Sequence, residues 1–101
     1  EGYSFQVERL DDISLNEEKI DFCKIDVDGF ELKALDGMKK TLEKYKPVVL
    51  IESIEHDSKE SAEHYSDYES NAPLVREFFK ELGCYNEAIC CEDYNWLFLP
   101  K

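Results

Sequence analysis

The sequence predicts an α/β domain with parallel strands at its centre and an antiparallel hairpin at its end. Three observations carry this expectation. Phe30, Ala34, Leu35, Met38, Leu42 and Tyr45 form a stripe at helical spacing between two β-favouring runs, residues 20–27 and 48–51. A second helical stripe, Leu74, Val75, Phe78, Phe79 and Leu82, follows the second run. Strand and helix in alternation imply parallel strands joined by crossovers. Finally, the short β-favouring stretches 88–91 and 96–99 are separated only by Glu92, Asp93, Tyr94 and Asn95, which suits a hairpin.

Taken in order, residues 5–10 alternate apolar and polar side chains as a half-buried strand does, and Asp11, Asp12 and Ser14 break the run. Residues 20–27 form the next strand, stopped by the turn-favouring pair Asp28-Gly29. The helix from Phe30 contains Gly37, which costs about 1 kcal/mol relative to alanine and predicts a break or kink. Lys39, Lys40, Lys44 and Lys46 complement the helix dipole towards its C-terminal end, and Pro47 stops it. Val48-Val49-Leu50-Ile51 is continuously apolar, as in a strand buried on both faces, and Glu52 and Ser53 end it. The segment 55–70 is acidic, serine-rich and nearly free of aliphatic residues, so it reads as a surface loop. Asn71 and Pro73 open the last helix and Gly83 closes it.

All of this fits one domain spanning residues 1–101, whose 43% hydrophobic and 13% aromatic content suffices for a core. The net charge of −12, from 24 acidic and 12 basic residues, argues against nucleic-acid partners and against anionic membranes. No apolar run has the length of a membrane span and no signal peptide is visible. The chain starts at Glu1, so a processed product or a piece of a longer protein is expected. Cys23, Cys84, Cys90 and Cys91 contain no CxxC pair, so no zinc site is expected. They read as small buried apolar residues, with Cys90 and Cys91 on opposite faces of a strand. A reducing, cytoplasmic location follows.

The segment Lys24-Ile25-Asp26-Val27-Asp28-Gly29-Phe30-Glu31-Leu32, with Leu35, Gly37 and Met38, resembles the hallmark of FkbM-type methyltransferases. That hallmark reads Lys-Ile-Asp-Val-Glu-Gly, an apolar or small residue, Glu, and then a Leu-x-Gly-Ala ending. Val7 to Leu10 with Asp11 and Asp12 is similar to the family's upstream Thr-Leu-Asp segment. Pro47 to Glu52 is similar to its proline-led strand, and Gly83, Tyr85 and Asn95 to Pro100 to its terminus. The likeness runs from about Phe5 to Pro100, excluding the acidic loop. Asp28 departs from it, standing where the family usually has Glu, one methylene longer. The resemblance implies the C-terminal half of a Rossmann-like class I methyltransferase fold and, for the intact parent, S-adenosylmethionine as cofactor. The acid and glycine-rich turn that holds this cofactor has no counterpart here. The four glycines, Gly2, Gly29, Gly37 and Gly83, do not cluster, so this chain alone is not expected to bind it.

In open α/β sheets ligands sit beyond the carboxyl ends of parallel strands. Asp26 and Asp28 end one strand of the expected fold; Glu52, Ser53, Glu55 and His56 end or follow its neighbour. The methyl acceptor must be aligned and, if a hydroxyl, deprotonated. Asp28 is the first candidate for catalysis and acceptor binding, Asp26 for orientation near the cofactor, Glu52 for substrate binding, and His56 for a further base. The same residues admit plainer roles. Asp26 or Asp28 can cap the following helix, Glu52 can pair with a lysine, His56 and His64 can be solvated, and Glu31 is expected on the exposed helix face. Asp26, Asp28 and Glu52 also offer the hard oxygens that a divalent ion takes, although no metal is assigned.

Two functional classes thus stand side by side. One is a piece of a methyltransferase acting on an oxygen of a sugar, lipid or small metabolite. The other is an acidic interaction module or an inactive methyltransferase-like domain. In the half-domain reading the strand at 20–27 becomes an open edge through which the chain self-associates, and apolar faces of both helices lie uncovered.

Overall fold

The computed structural model describes residues 7–16, 18–54 and 71–101. The elements are a 3-10 turn at Leu10–Asp12, β1 (Phe22–Ile25), α1 (Glu31–Asp36), α2 (Lys39–Tyr45), β2 (Val48–Glu52), α3 (Ala72–Leu82), β3 (Ile89–Cys90), a 3-10 turn at Glu92–Tyr94, and β4 (Asn95–Phe98). The strands form one mixed sheet in the order β1-β2-β4-β3. β1 and β2 are parallel, and β4 runs antiparallel to both β2 and β3. The expected helix crossover and terminal hairpin are both present, but the expected parallel centre is not: among the described strands the single parallel pair, β1–β2, lies at one edge, and the other two pairings are antiparallel because the hairpin strand β4 inserts beside β2. Residues 1–6 and the acidic segment 55–70, with His56 and His64, lie outside the described residues.

Alternation along the strands explains where the core sits. The register pairs Ile25 with Ile51, Ile51 with Trp96, and Val49 with Phe98, so these side chains share one sheet face. They are all buried, in one cluster with Leu35, Met38 and Leu42 and with Val75 and Phe79 of α3. Phe79 stacks on Phe98 with ring centroids 3.8 Å apart, and meets Tyr85 edge-on. The opposite face carries Phe22, Val48, Leu50, Leu97 and Ile89. There Phe22 is 54% and Ile89 47% exposed, and Val48, Leu50 and Leu97 are only half-buried. The expectation that β2 is buried on both faces is therefore corrected, because the described helices supply core residues to one face alone. For the same reason the helices' apolar stripes are covered rather than bare. The exceptions are Phe30 and Leu74, which the stripe readings placed inwards and which are 60% and 56% exposed.

Other expectations shift in detail. Residues 7–10 form no strand: the chain turns at Leu10–Asp12, and the N–H of Asp11 donates to the carbonyl of Gly37 instead of a sheet partner. The predicted break at Gly37 is real and separates α1 from α2. Lys39 and Lys40 consequently begin α2 instead of ending a longer helix, and only Lys44 lies in its last turn. Asp11 compensates for them at that end. Its carboxylate accepts hydrogen bonds from the N–H groups of Lys40 (3.0 Å) and Thr41 (2.9 Å) and from the Thr41 hydroxyl (2.8 Å), capping α2 from about thirty residues upstream. Arg9 holds the other side of the break, donating to the Asp36 carbonyl and carboxylate. Lys46, left-handed before Pro47, ends α2, and Gly83 at φ 82° ends α3. The cysteines are free, but Cys90 and Cys91 are exposed, contrary to the buried reading, because β3 is a two-residue edge strand.

Candidate functional site

The parallel pairing of β1 with β2 brings two strand ends to one edge of the sheet. Ile25 stands beside Ile51, so the next residues are neighbours: Asp26, just past the end of β1, and Glu52, the last residue of β2, still paired with Asn95 of β4. Beyond Asp26 the chain reverses in a tight turn closed by the N–H of Phe30 donating to the Val27 carbonyl, 3.1 Å. Its two central residues, Asp28 (φ 43°) and Gly29 (φ 95°), both lie on the left-handed side, as a type I′ turn requires. Asp enters this region far more readily than most side chains. The shorter acid thus has a conformational reason to stand where the resemblance has Glu.

The surrounding acids bear on Glu52. Burial raises the proton affinity of the Glu52 carboxyl, and the negative charges of Asp26, Asp28 and Asp93 raise it further against partial relief from Lys24. The expectation of a simple lysine pairing for Glu52 gives way to this picture of a carboxyl crowded by like charges. The capping role for Asp26 or Asp28 is not found: Phe30 occupies the N-cap of α1 and no side chain caps it. Among the described residues no group of three or more His, Cys, Asp or Glu is placed to hold a metal ion. His56 cannot be placed relative to the edge, being outside the described residues.

Three further residues at this end of the fold have surroundings that the sequence does not announce. Glu31 is 2% exposed, not on the open helix face, and among the described residues its Oε2 has no hydrogen-bond partner. Ser53, fully buried, likewise leaves its Oγ unpartnered, although its N–H donates to the Tyr94 carbonyl and its carbonyl accepts from Trp96 Nε1. Asn71 stands at the start of α3 but does not cap it; its Nδ2 instead donates to the Gly29 carbonyl at 3.0 Å, tying α3 to the Asp28-Gly29 turn. Glu31 was detectable in the sequence, since it precedes buried Leu35 by four residues and so shares its helix face.

The match to known proteins agrees with the motif. Residues 1–84 fit the family model described as the methyltransferase FkbM domain. The chain belongs to this family. The matched region contains Asp26, Asp28, Glu52 and the segment 55–70, and stops before Asp93 and the hairpin. No curated protein and no solved structure matches the chain. Among the described residues, no helix is long and apolar enough to cross a membrane.

Proposed function

We propose that this chain is the acceptor-side half of an S-adenosylmethionine-dependent O-methyltransferase. The observation that carries the reading is the convergence of Asp26, Asp28 and Glu52 at the ends of adjacent parallel strands in a chain of the FkbM family. A hydroxyl of a sugar, lipid or small metabolite enters this edge. Asp28, projecting from the turn, orients it; Asp26 lies nearest the cofactor; Glu52 accepts the hydroxyl proton. Glu52 suits that work because like charges and burial make it a stronger base than an ordinary glutamate. His56 stays a second candidate base.

The described residues do not fit the cofactor itself. Gly29 is the one glycine between a strand and a helix, and a side chain there would meet nothing within 4 Å, so it forms no close cradle. Gly37 lies at a helix break and Gly83 at a helix end. The donor is assigned to the remainder of a Rossmann-like class I domain, which would also cover the bare sheet face and the free edge of β1. Four free thiols favour a reducing, cytoplasmic setting.

The test uses the longer gene product that contains this chain. Methyl-labelled S-adenosylmethionine should transfer label to a hydroxylated acceptor, and Glu52→Gln should abolish transfer while cofactor affinity holds. A product that binds the cofactor yet methylates no acceptor would support the inactive-domain reading instead. Calorimetric titration of the 101-residue chain alone should show no binding; micromolar affinity there would overturn the half-domain assignment.

A further inference from the structure

Glu31 and Ser53 carry the two buried side-chain oxygens that lack a protein partner among the described residues. Both belong to the helix-covered side of the sheet, one at the start of α1 and the other just past the end of β2. Glu31 starts α1 and faces the sheet with Leu35, one helical turn on. Ser53 follows β2 and continues the alternation of Val49 and Ile51, which places it on the helix-covered face. The first turn of α3 joins the two: Asn71 reaches the Gly29 carbonyl on one side, and the Ala72 N–H donates to the Ile54 carbonyl on the other.

Leaving both groups unmatched would cost about 1–3 kcal/mol each, and native interiors meet such needs with ordered water. Among the described residues no further His, Cys, Asp or Glu joins Glu31 to make a metal-holding group of three, so a neutral water suits the place better than a divalent ion. We infer that one internal water bridges Glu31 and Ser53, and that this bridge fixes the spacing of the acidic edge. Glu31 follows Asp28 by three residues and Ser53 follows Glu52 by one. The bridge therefore locks the turn bearing Asp28 to the strand end bearing Glu52, and Glu31 is a positioning residue. Its importance for catalysis rests on the methyltransferase reading; the bridge itself does not.

The experiment is carboxyl titration by NMR on the full chain, with Glu31→Gln, Ser53→Ala and the double variant, both changes being small enough to preserve the fold. Glu52 is faced by Asp26, Asp28, Asp93 and Lys24. Releasing the Asp28 turn should move its titration down towards the ordinary glutamate range in each single variant. The double variant should shift no further than either single, and a water Overhauser signal at Ser53 should vanish in all three. Unchanged Glu52 titration, additive shifts, absence of the water signal in the parent chain, or a signal that responds to potassium or ammonium would each overturn the bridge. If Glu31→Gln unfolds, Ser53→Ala alone decides by the same two readouts. No readout needs methyl transfer, so failure of the bridge and failure of the enzyme assignment remain distinct.

Discussion

At the scale of single residues, Gly29 and Gly37 look alike in the sequence and differ in the fold. Gly29 sits at φ 95°, where a side chain is strained whatever the space around it. Gly37 is in right-handed helical backbone, and an added Cβ would make ordinary contacts at 3.6 Å with Ala34 and Arg9. Gly29→Ala should therefore cost about 1–2 kcal/mol in urea unfolding, while Gly37→Ala should gain about 0.5 kcal/mol by restricting the unfolded chain. Glu52 gives the second residue-scale prediction. A carboxyl whose folded proton affinity is raised contributes stability below its unfolded titration range and loses it as pH rises through the folded value. Glu52→Gln should thus raise the thermal midpoint near neutrality and lose that advantage in acid, while abolishing methyl transfer. An equal effect at both pH values would remove the case for a crowded carboxyl. The acids at 26, 28 and 52 were legible because each ends a strand or opens a turn. Glu31 reads as a surface charge unless its helical phase with Leu35 is considered, while Ser53 and Asn71 stand where the sequence puts them but meet partners from distant segments, which no local pattern announces.

At the scale of elements, the break between α1 and α2 was readable from Gly37, but its fastening was not. Arg9 and Asp11 reach Asp36, Lys40 and Thr41 across 27 to 30 residues, and no local pattern announces such contacts. The alternation at residues 5–10 suggested a strand, yet over residues 7–12 the backbone finds its partners in a turn and in the Gly37 carbonyl. Burial pushes the Asp11 carboxyl up, but the hydrogen bonds from Lys40 and Thr41, aided by Arg9, prevail and hold it below the ordinary range. Its contribution is accordingly present above the unfolded aspartate range and lost as pH falls through the lower folded value. Asp11→Ala should cost about 1 kcal/mol and speed amide exchange at Lys40 and Thr41, with the difference fading in strong acid. Tyr85 performs a comparable service at the opposite end of the sheet. Its buried hydroxyl donates to the Pro47 carbonyl at 2.6 Å, fastening the α3–β3 connection to the start of β2, and burial raises its proton affinity. Tyr85→Phe should lose about 1 kcal/mol by leaving that carbonyl unpaired; a neutral substitution would show that water replaces the bond.

At the scale of the whole molecule, the sequence showed the strand and helix order but not which sheet face the helices would cover. Apolar runs such as 48–51 report burial potential, and the coverage that realises it comes from elsewhere. Here one face holds the core, and the other presents Phe22, half-buried Val48, Leu50 and Leu97, and Ile89. β1 ends the sheet order with pairing on one side only among the described strands. The backbone groups on its free side need partners, and a flat apolar edge is a template for another strand. The charge of −12 slows encounter between copies but cannot satisfy those groups. The 101-residue chain should therefore self-associate as concentration rises, with salt promoting it by screening the charge. Lys24, which points outwards from β1, offers the place to test it. Adding a second obstacle beside it, Phe22→Lys, should shift sedimentation towards monomer at every concentration and leave the helix-side core intact. Equal association of Phe22→Lys and the parent chain would exclude this edge and face as the contact. A parent chain that stays monomeric throughout, with strong amide protection over Phe22–Ile25, would mean that the edge is already covered within the molecule, and the half-domain picture would fall with it.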